Sequence, residues 1–176
     1  FKKINDRKKN IIFFLRKKIF FDKIDKAKLN EEIGLNKRIV TMDADSILEA
    51  INFFQKNNFE IYIKMHPYSA FNTSDLQKYV GRNLNFLDQS YSAEECINLV
   101  KPMFTVGWFS SSLAISLLSN VMPVCIDKKP YNQLFIDRPL FKFYKRTINF
   151  HEQRDIIKKA MESESFYDQI LNTLCE

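Results

Sequence analysis

Glycine is scarce in this chain, three among 176 residues. That excludes a Gly-rich linker, a glycine-rich phosphate loop and a collagen-like repeat. Cysteine is nearly as rare, and Cys96, Cys125 and Cys175 stand far apart in odd number. They fit neither a disulfide framework nor a zinc-ligand spacing, so a reducing, cytosolic compartment is expected. With only two histidines no His-based metal cluster is offered, and no metal is expected. No apolar run reaches the roughly 20 residues needed to span a bilayer. The chain opens on Phe1 without a signal-peptide pattern, and it is expected to be a piece of something longer.

Hydrophobic residues are plentiful at 45%, seventeen of them phenylalanine, enough for the core of one domain. The net charge of +6 is uneven. Residues 1–28 hold eleven Lys/Arg against three Asp/Glu, whereas the rest hold sixteen against eighteen. With Phe13, Phe14, Phe20 and Phe21 in it, this basic segment suggests an anionic partner: a membrane leaflet, a phosphorylated glycan or nucleic acid. The alternative is a solvated basic segment around one buried strand.

Strand-like and helix-like stretches alternate. Ile11–Leu15, Phe59–Met65, Leu84–Leu87, Met103–Val106 and Met122–Ile126 read as strands. Between them, Asp43-Ala44-Asp45-Ser46 offers N-cap chemistry ahead of Ile47, Leu48, Ile51 and Phe54 at helical spacing. Short helices are predicted at Asp75–Tyr79, from a Ser92 cap to Val100, and at Leu113–Leu118; two more close the chain near 151–163 and 165–174. Residues 16–37 give no clear pattern, and 127–149 reads as irregular. Continuous apolar strands alternating with helices predict an α/β fold, a Rossmann-like parallel sheet with helices on both faces, in one domain over 1–176.

Such sheets bind ligands at the carboxyl ends of their strands. Two motifs fall there. In "EIYIKMHPY" His66 ends a strand and Pro67 turns the chain away. An imidazole titrating near ~6.5 could donate a proton or a charged hydrogen bond to a phosphate, although a strand-end histidine bonded to backbone is the plainer option. Gly107-Trp108-Phe109 leads into Ser110, Ser111 and Ser112 at a helix start, where amides and hydroxyls suit phosphate. One serine as a cap is the simpler explanation, but three exceed it. The two motifs are expected on adjacent strand ends, aimed at one anion. Alternation puts Lys64 on the same side as His66, either steadying a phosphate or solvated. Trp108 and Phe109 could stack on a ligand or pack, Tyr131 falls in a loop after the last strand, and His151 reads as a surface or capping residue.

"IKMHP" followed by "FTVGWFSSSLAISLL", with "SAEEC" between, resembles the His-Pro and Ser-Ser motifs of bacterial sialyltransferases of the two-Rossmann GT-B type. These include lipooligosaccharide sialyltransferases and capsular polysialyltransferases. The resemblance spans roughly residues 58–127 and implies the C-terminal, donor-binding half of such an enzyme. It implies that His66 contacts the donor phosphate and acts as general acid toward departing CMP. Ser111 or Ser112, with Ser110 as the other option, would hold that phosphate, and Glu94 or Glu95 would face ribose or cytosine; beside these, Lys64, Pro67 and Gly107 are expected to bind substrate. The reaction implied is inverting, metal-independent transfer from CMP-sialic acid to a bacterial surface glycan, needing no cofactor. The general base would come from an N-terminal domain, since Asp43 and Asp45 fit helix capping better; a partner domain or a homodimer is therefore expected. Location would be cytoplasmic, with peripheral contact at the inner membrane through residues 1–28.

Two alternatives remain. A transferase of another CMP- or CDP-activated group, Kdo or glycerol phosphate, would use similar His and Ser groups. A non-enzymatic basic module would bind nucleic acid or an anionic membrane, although no nucleic-acid motif is present.

Overall fold

The computed structural model describes residues 9–15, 44–67, 73–80, 84–108, 110–127 and 146–175. Within them lie β1 (Asn10–Phe14), α1 (Ala44–Lys56), β2 (Glu60–Lys64), α2 (Thr73–Val80), β3 (Asn85–Phe86) and α3 (Ala93–Val100). These are followed by β4 (Phe104–Gly107), α4 (Ser111–Leu118), β5 (Met122–Cys125), β6 (Ile148–Asn149), α5 (Arg154–Glu162) and α6 (Glu164–Cys175). The strands form one sheet in the order β3-β2-β1-β4-β5-β6, and every neighbouring pair is parallel. This is the 3-2-1-4-5-6 order of a Rossmann sheet, with its order reversal between β1 and β4.

β1 is the central strand, buried at all five positions. Its β-branched and aromatic side chains alternate between the two faces. Ile11, Phe13 and Leu15 join the core under α1, α2, α5 and α6, whereas Ile12 and Phe14 join that under α3 and α4. The predicted helices on both faces are there. On the first face Phe54 of α1 is an aromatic hub, its ring centroid 5.2–6.5 Å from those of Phe13, Phe53, Phe59, Phe104 and Phe150. Burying each such ring contributes about 1.5–3 kcal/mol, so the phenylalanine-rich composition builds this face.

The opposite, amino-terminal edge is sealed by polar contacts. Asn10 Nδ2 donates to Val100 O at 3.0 Å. The Tyr167 hydroxyl of α6 donates to Met103 O at 2.6 Å and accepts from Met122 N at 3.0 Å, clamping the starts of β4 and β5. α3 ends at Lys101 in the left-handed region (φ 50°) ahead of Pro102, which stops the helix and turns it into β4.

Three expectations change. The segment 127–149 is not wholly irregular: it contributes β6, a two-residue strand too short to show a period. Ser46 lies inside the first turn of α1, buried with its hydroxyl unpartnered rather than capping; Asp43 lies outside the described residues. Phe13 and Phe14 are core residues and offer nothing to a membrane. The rest of the basic segment, with Phe20 and Phe21, lies outside the described residues, as do residues 16–37. Among the described residues no helix is long and apolar enough to cross a membrane.

Candidate functional site

Because the sheet is parallel, β1, β2, β4 and β5 all end on one edge. One register row runs along it: Lys64, Phe14, Gly107, Cys125 and Asn149 are partners in turn across five strands. Strand alternation points Phe14, Gly107 and Cys125 toward the face covered by α3 and α4, opposite Val106, Val124 and Ile126 in the other core. α3 enters from β3 and α4 follows β4, so both helices begin at this edge. The row crosses the order reversal, where sheets of this type open a crevice for ligands.

Lys64 is not solvated. It is 6% exposed, and its Nζ donates to Gln89 O at 2.9 Å and to Met65 O at 3.1 Å. Burial lowers its pKa, while neighbouring Cys96 and Asp88 act the other way. The lysine thus ties the end of β2 to the turn that leads into α3. Asp88 shapes that turn by accepting from the Ser90 amide and hydroxyl, both at 2.8 Å, and these bonds lower its pKa. His66 follows two residues past Lys64, half-buried, and Pro67 starts the exposed exit turn.

The two helix starts differ. At α3, Ser92 Oγ accepts from the Glu95 amide at 3.1 Å, and the Glu95 carboxylate accepts from the Ser92 amide at 2.7 Å. This capping box, with Glu94 beside it, satisfies the helix end internally. The Ser92 amide accounts for the lowered pKa of Glu95. At α4, Ser110 occupies the cap position but its side chain makes no cap bond, and no acidic residue lies in the first turn. Ser111 is exposed and Ser112 half-buried, its carbonyl accepting from Ser116 Oγ at 2.7 Å. Neither the cap side chain nor a first-turn acid therefore offsets the positive end of α4.

Gly107 makes the close approach possible. A Cβ there would lie 3.0 Å from the Phe14 carbonyl oxygen and 3.8 Å from Leu113 Cδ2 of α4. Trp108, only 2% exposed, packs in the core of the other face, so the stacking option is removed; Phe109 and Tyr131 lie outside the described residues. His151 is more than a surface residue. Its ring Nε2 lies 3.3 Å from Ile126 O, and Nδ1 lies 3.7 Å from Glu49, which also pairs with Arg154.

The structure brings Lys64, His66, Pro67, Glu94, Glu95, Gly107 and Ser110–Ser112 to one edge, but not all as expected. His66 and the serines are not on adjacent strands. β1 stands between β2 and β4, so the strand ends are separated by two inter-strand spacings, roughly 10 Å. Sequence reasoning missed Asp127, a buried carboxyl just past β5. Its signal was one acidic residue closing an otherwise apolar strand. Among the described residues no three His, Cys, Asp or Glu side chains gather as a metal-binding group.

A family model described as Alpha-2,8-polysialyltransferase (POLYST) matches residues 20–121, more than half of the chain. The match takes in β2, α3, β4 and the whole of α4, and so every candidate residue named at the edge except Asp127. No curated protein and no solved structure matches the chain.

Proposed function

The chain belongs to the alpha-2,8-polysialyltransferase family, which makes it a sialyltransferase-type glycosyltransferase with a nucleotide-sugar donor and a glycan acceptor; on that premise we propose that it is the donor-binding half of a GT-B enzyme using CMP-sialic acid. The carrying observation is the unlike pair of helix starts flanking the order reversal. α3 is closed by its own capping box, whereas α4 presents Ser110–Ser112 with neither cap bond nor acid.

In this reading the phosphate of CMP-sialic acid sits at the start of α4, held by first-turn amides and the Ser111 and Ser112 hydroxyls. The nucleoside extends toward α3 and β2, with Glu94 or Glu95 facing ribose or cytosine, which is consistent with the two-strand gap. His66 reaches the phosphate from the β2 side and donates a proton or charged hydrogen bond as CMP departs. Lys64, with two donors already on carbonyls, holds the α3 turn beside His66 and keeps one N–H for the ligand. The acceptor hydroxyl attacks the anomeric carbon from the side opposite CMP, which inverts configuration. Helix amides and His66, rather than a metal ion, balance the leaving charge. A second Rossmann domain supplies the base that deprotonates the acceptor, a bacterial surface glycan of the lipooligosaccharide or capsule type. Residues 1–8 and 16–28 would hold the enzyme at the inner face of the inner membrane.

The test is nucleotide selectivity. Equilibrium dialysis against CMP, UMP, GMP and inorganic phosphate should show retention of CMP alone at micromolar to low-millimolar concentration. Equal retention of all three nucleotides would sink the cytidine reading.

A further inference from the structure

Asp127 is 6% exposed at the carboxyl edge, two residues beyond β5. Its side of the sheet is fixed by a bond. Val124 and Ile126 belong to the core under α1, α5 and α6, so alternation turns Cys125 to the α3 and α4 face. The Cys125 thiol donates to Asp127 Oδ2 at 3.2 Å, which holds the carboxylate on that same face. The main chain around it is tied down as well. Ile126 N donates to Gly107 O at 2.9 Å, and Asn149 Nδ2 donates to Asp127 O at 2.9 Å. Gly107, in register with Cys125, leads within three residues into Ser110 and α4.

Along the edge the order is therefore His66 past β2, the serines past β4, then Asp127 past β5. Asp127 lies on the far side of the α4 start from His66. A carboxylate cannot face the donor's phosphate or the sugar's own carboxylate without like-charge repulsion, but it accepts hydrogen bonds well from hydroxyls. We propose that Asp127 is a specificity-determining residue of the donor site, its carboxylate accepting hydrogen bonds from hydroxyl groups of the nucleotide-sugar whose phosphate rests at the start of α4. The inference rests on the donor-site reading above. With the nucleoside toward α3, the hydroxyls on the Asp127 side are those of the sugar; the ribose hydroxyls are the other source.

The experiment is calorimetric titration of the full chain, wild type and Asp127→Asn, with CMP-sialic acid and with CMP. The expected result is a Kd for CMP-sialic acid raised at least tenfold in Asp127→Asn. A loss confined to CMP-sialic acid assigns the contact to the sugar, and an equal loss for CMP assigns it to ribose; either supports the proposal. Wild-type binding of both ligands with unchanged affinity in the variant overturns it and leaves the donor site standing. A folded wild type that binds neither ligand overturns both. Should Asp127→Asn not fold, the wild type answers alone: the Asp127 carboxyl 13C resonance shifts on saturation with CMP-sialic acid, and an unmoved resonance overturns the proposal.

Discussion

The Lys64 ammonium donates to the Gln89 carbonyl at 2.9 Å, joining the end of β2 to the turn that starts α3. A lysine buried this way is structural before it is anything else. Lys64→Met should leave the Gln89 and Met65 carbonyls without this donor and cost about 1–3 kcal/mol in urea unfolding. A solvated lysine would cost almost nothing. Because burial lowers the pKa, folding disfavours the charged form. Wild-type stability should thus rise relative to Lys64→Met as pH climbs from the lowered value toward the ordinary lysine range. A stability difference independent of pH in that window would contradict this.

Gly107 is small because Phe14 leaves no room. Its absent Cβ would stand 3.0 Å from a backbone oxygen that cannot rotate away. Gly107→Ala should cost about 1–3 kcal/mol, and Gly107→Val more, by thermal or urea unfolding. An alanine variant as stable as wild type would show that β1 and β4 separate easily.

The capping box at α3 carries an acid signature. Glu95 has its pKa lowered chiefly by the Ser92 amide. A depressed carboxyl contributes stability that is complete above its unfolded value and lost as pH falls through the folded one. Wild type should therefore lose more stability than Glu95→Gln between about pH 5 and 3. Ser92→Ala, which removes the reciprocal bond, should cost about 1 kcal/mol at neutral pH. Parallel acid-unfolding curves for wild type and Glu95→Gln would argue against the box.

Tyr167 clamps two strands through one hydroxyl. Tyr167→Phe keeps the ring against Phe104, 5.7 Å between centroids, and removes the hydroxyl that bridges Met103 O and Met122 N. Leaving both buried groups unpaired should cost about 1–3 kcal/mol, read as a lower urea midpoint at unchanged m. A neutral effect would mean that the strand starts rest on packing alone.

Much of this was legible in residue order. Continuous apolar strands flanked by helical spacings gave the parallel sheet, and "SAEEC" announced its own capping box. Register was not legible. Nothing local says that β1 pairs with both β2 and β4, so His66 and Ser110–Ser112 read as neighbours when a strand divides them. Burial of a charged side chain is equally hidden: Lys64 looks solvated until the Gln89 carbonyl, 25 residues away, is seen beside it. β6 is two residues long and is recognised by its pairing with β5. Asp127 gained its meaning only when Cys125 fixed its face.

A donor site at the carboxyl edge must bind the donor nucleotide. Calorimetric titration of the chain with CMP, beside His66→Ala and the Ser111→Ala/Ser112→Ala double variant, asks this directly. Saturable binding by wild type, weakened at least tenfold in both variants while they stay folded, is the predicted result. CMP binding of equal strength in all three proteins, or none by a folded wild type, would contradict it.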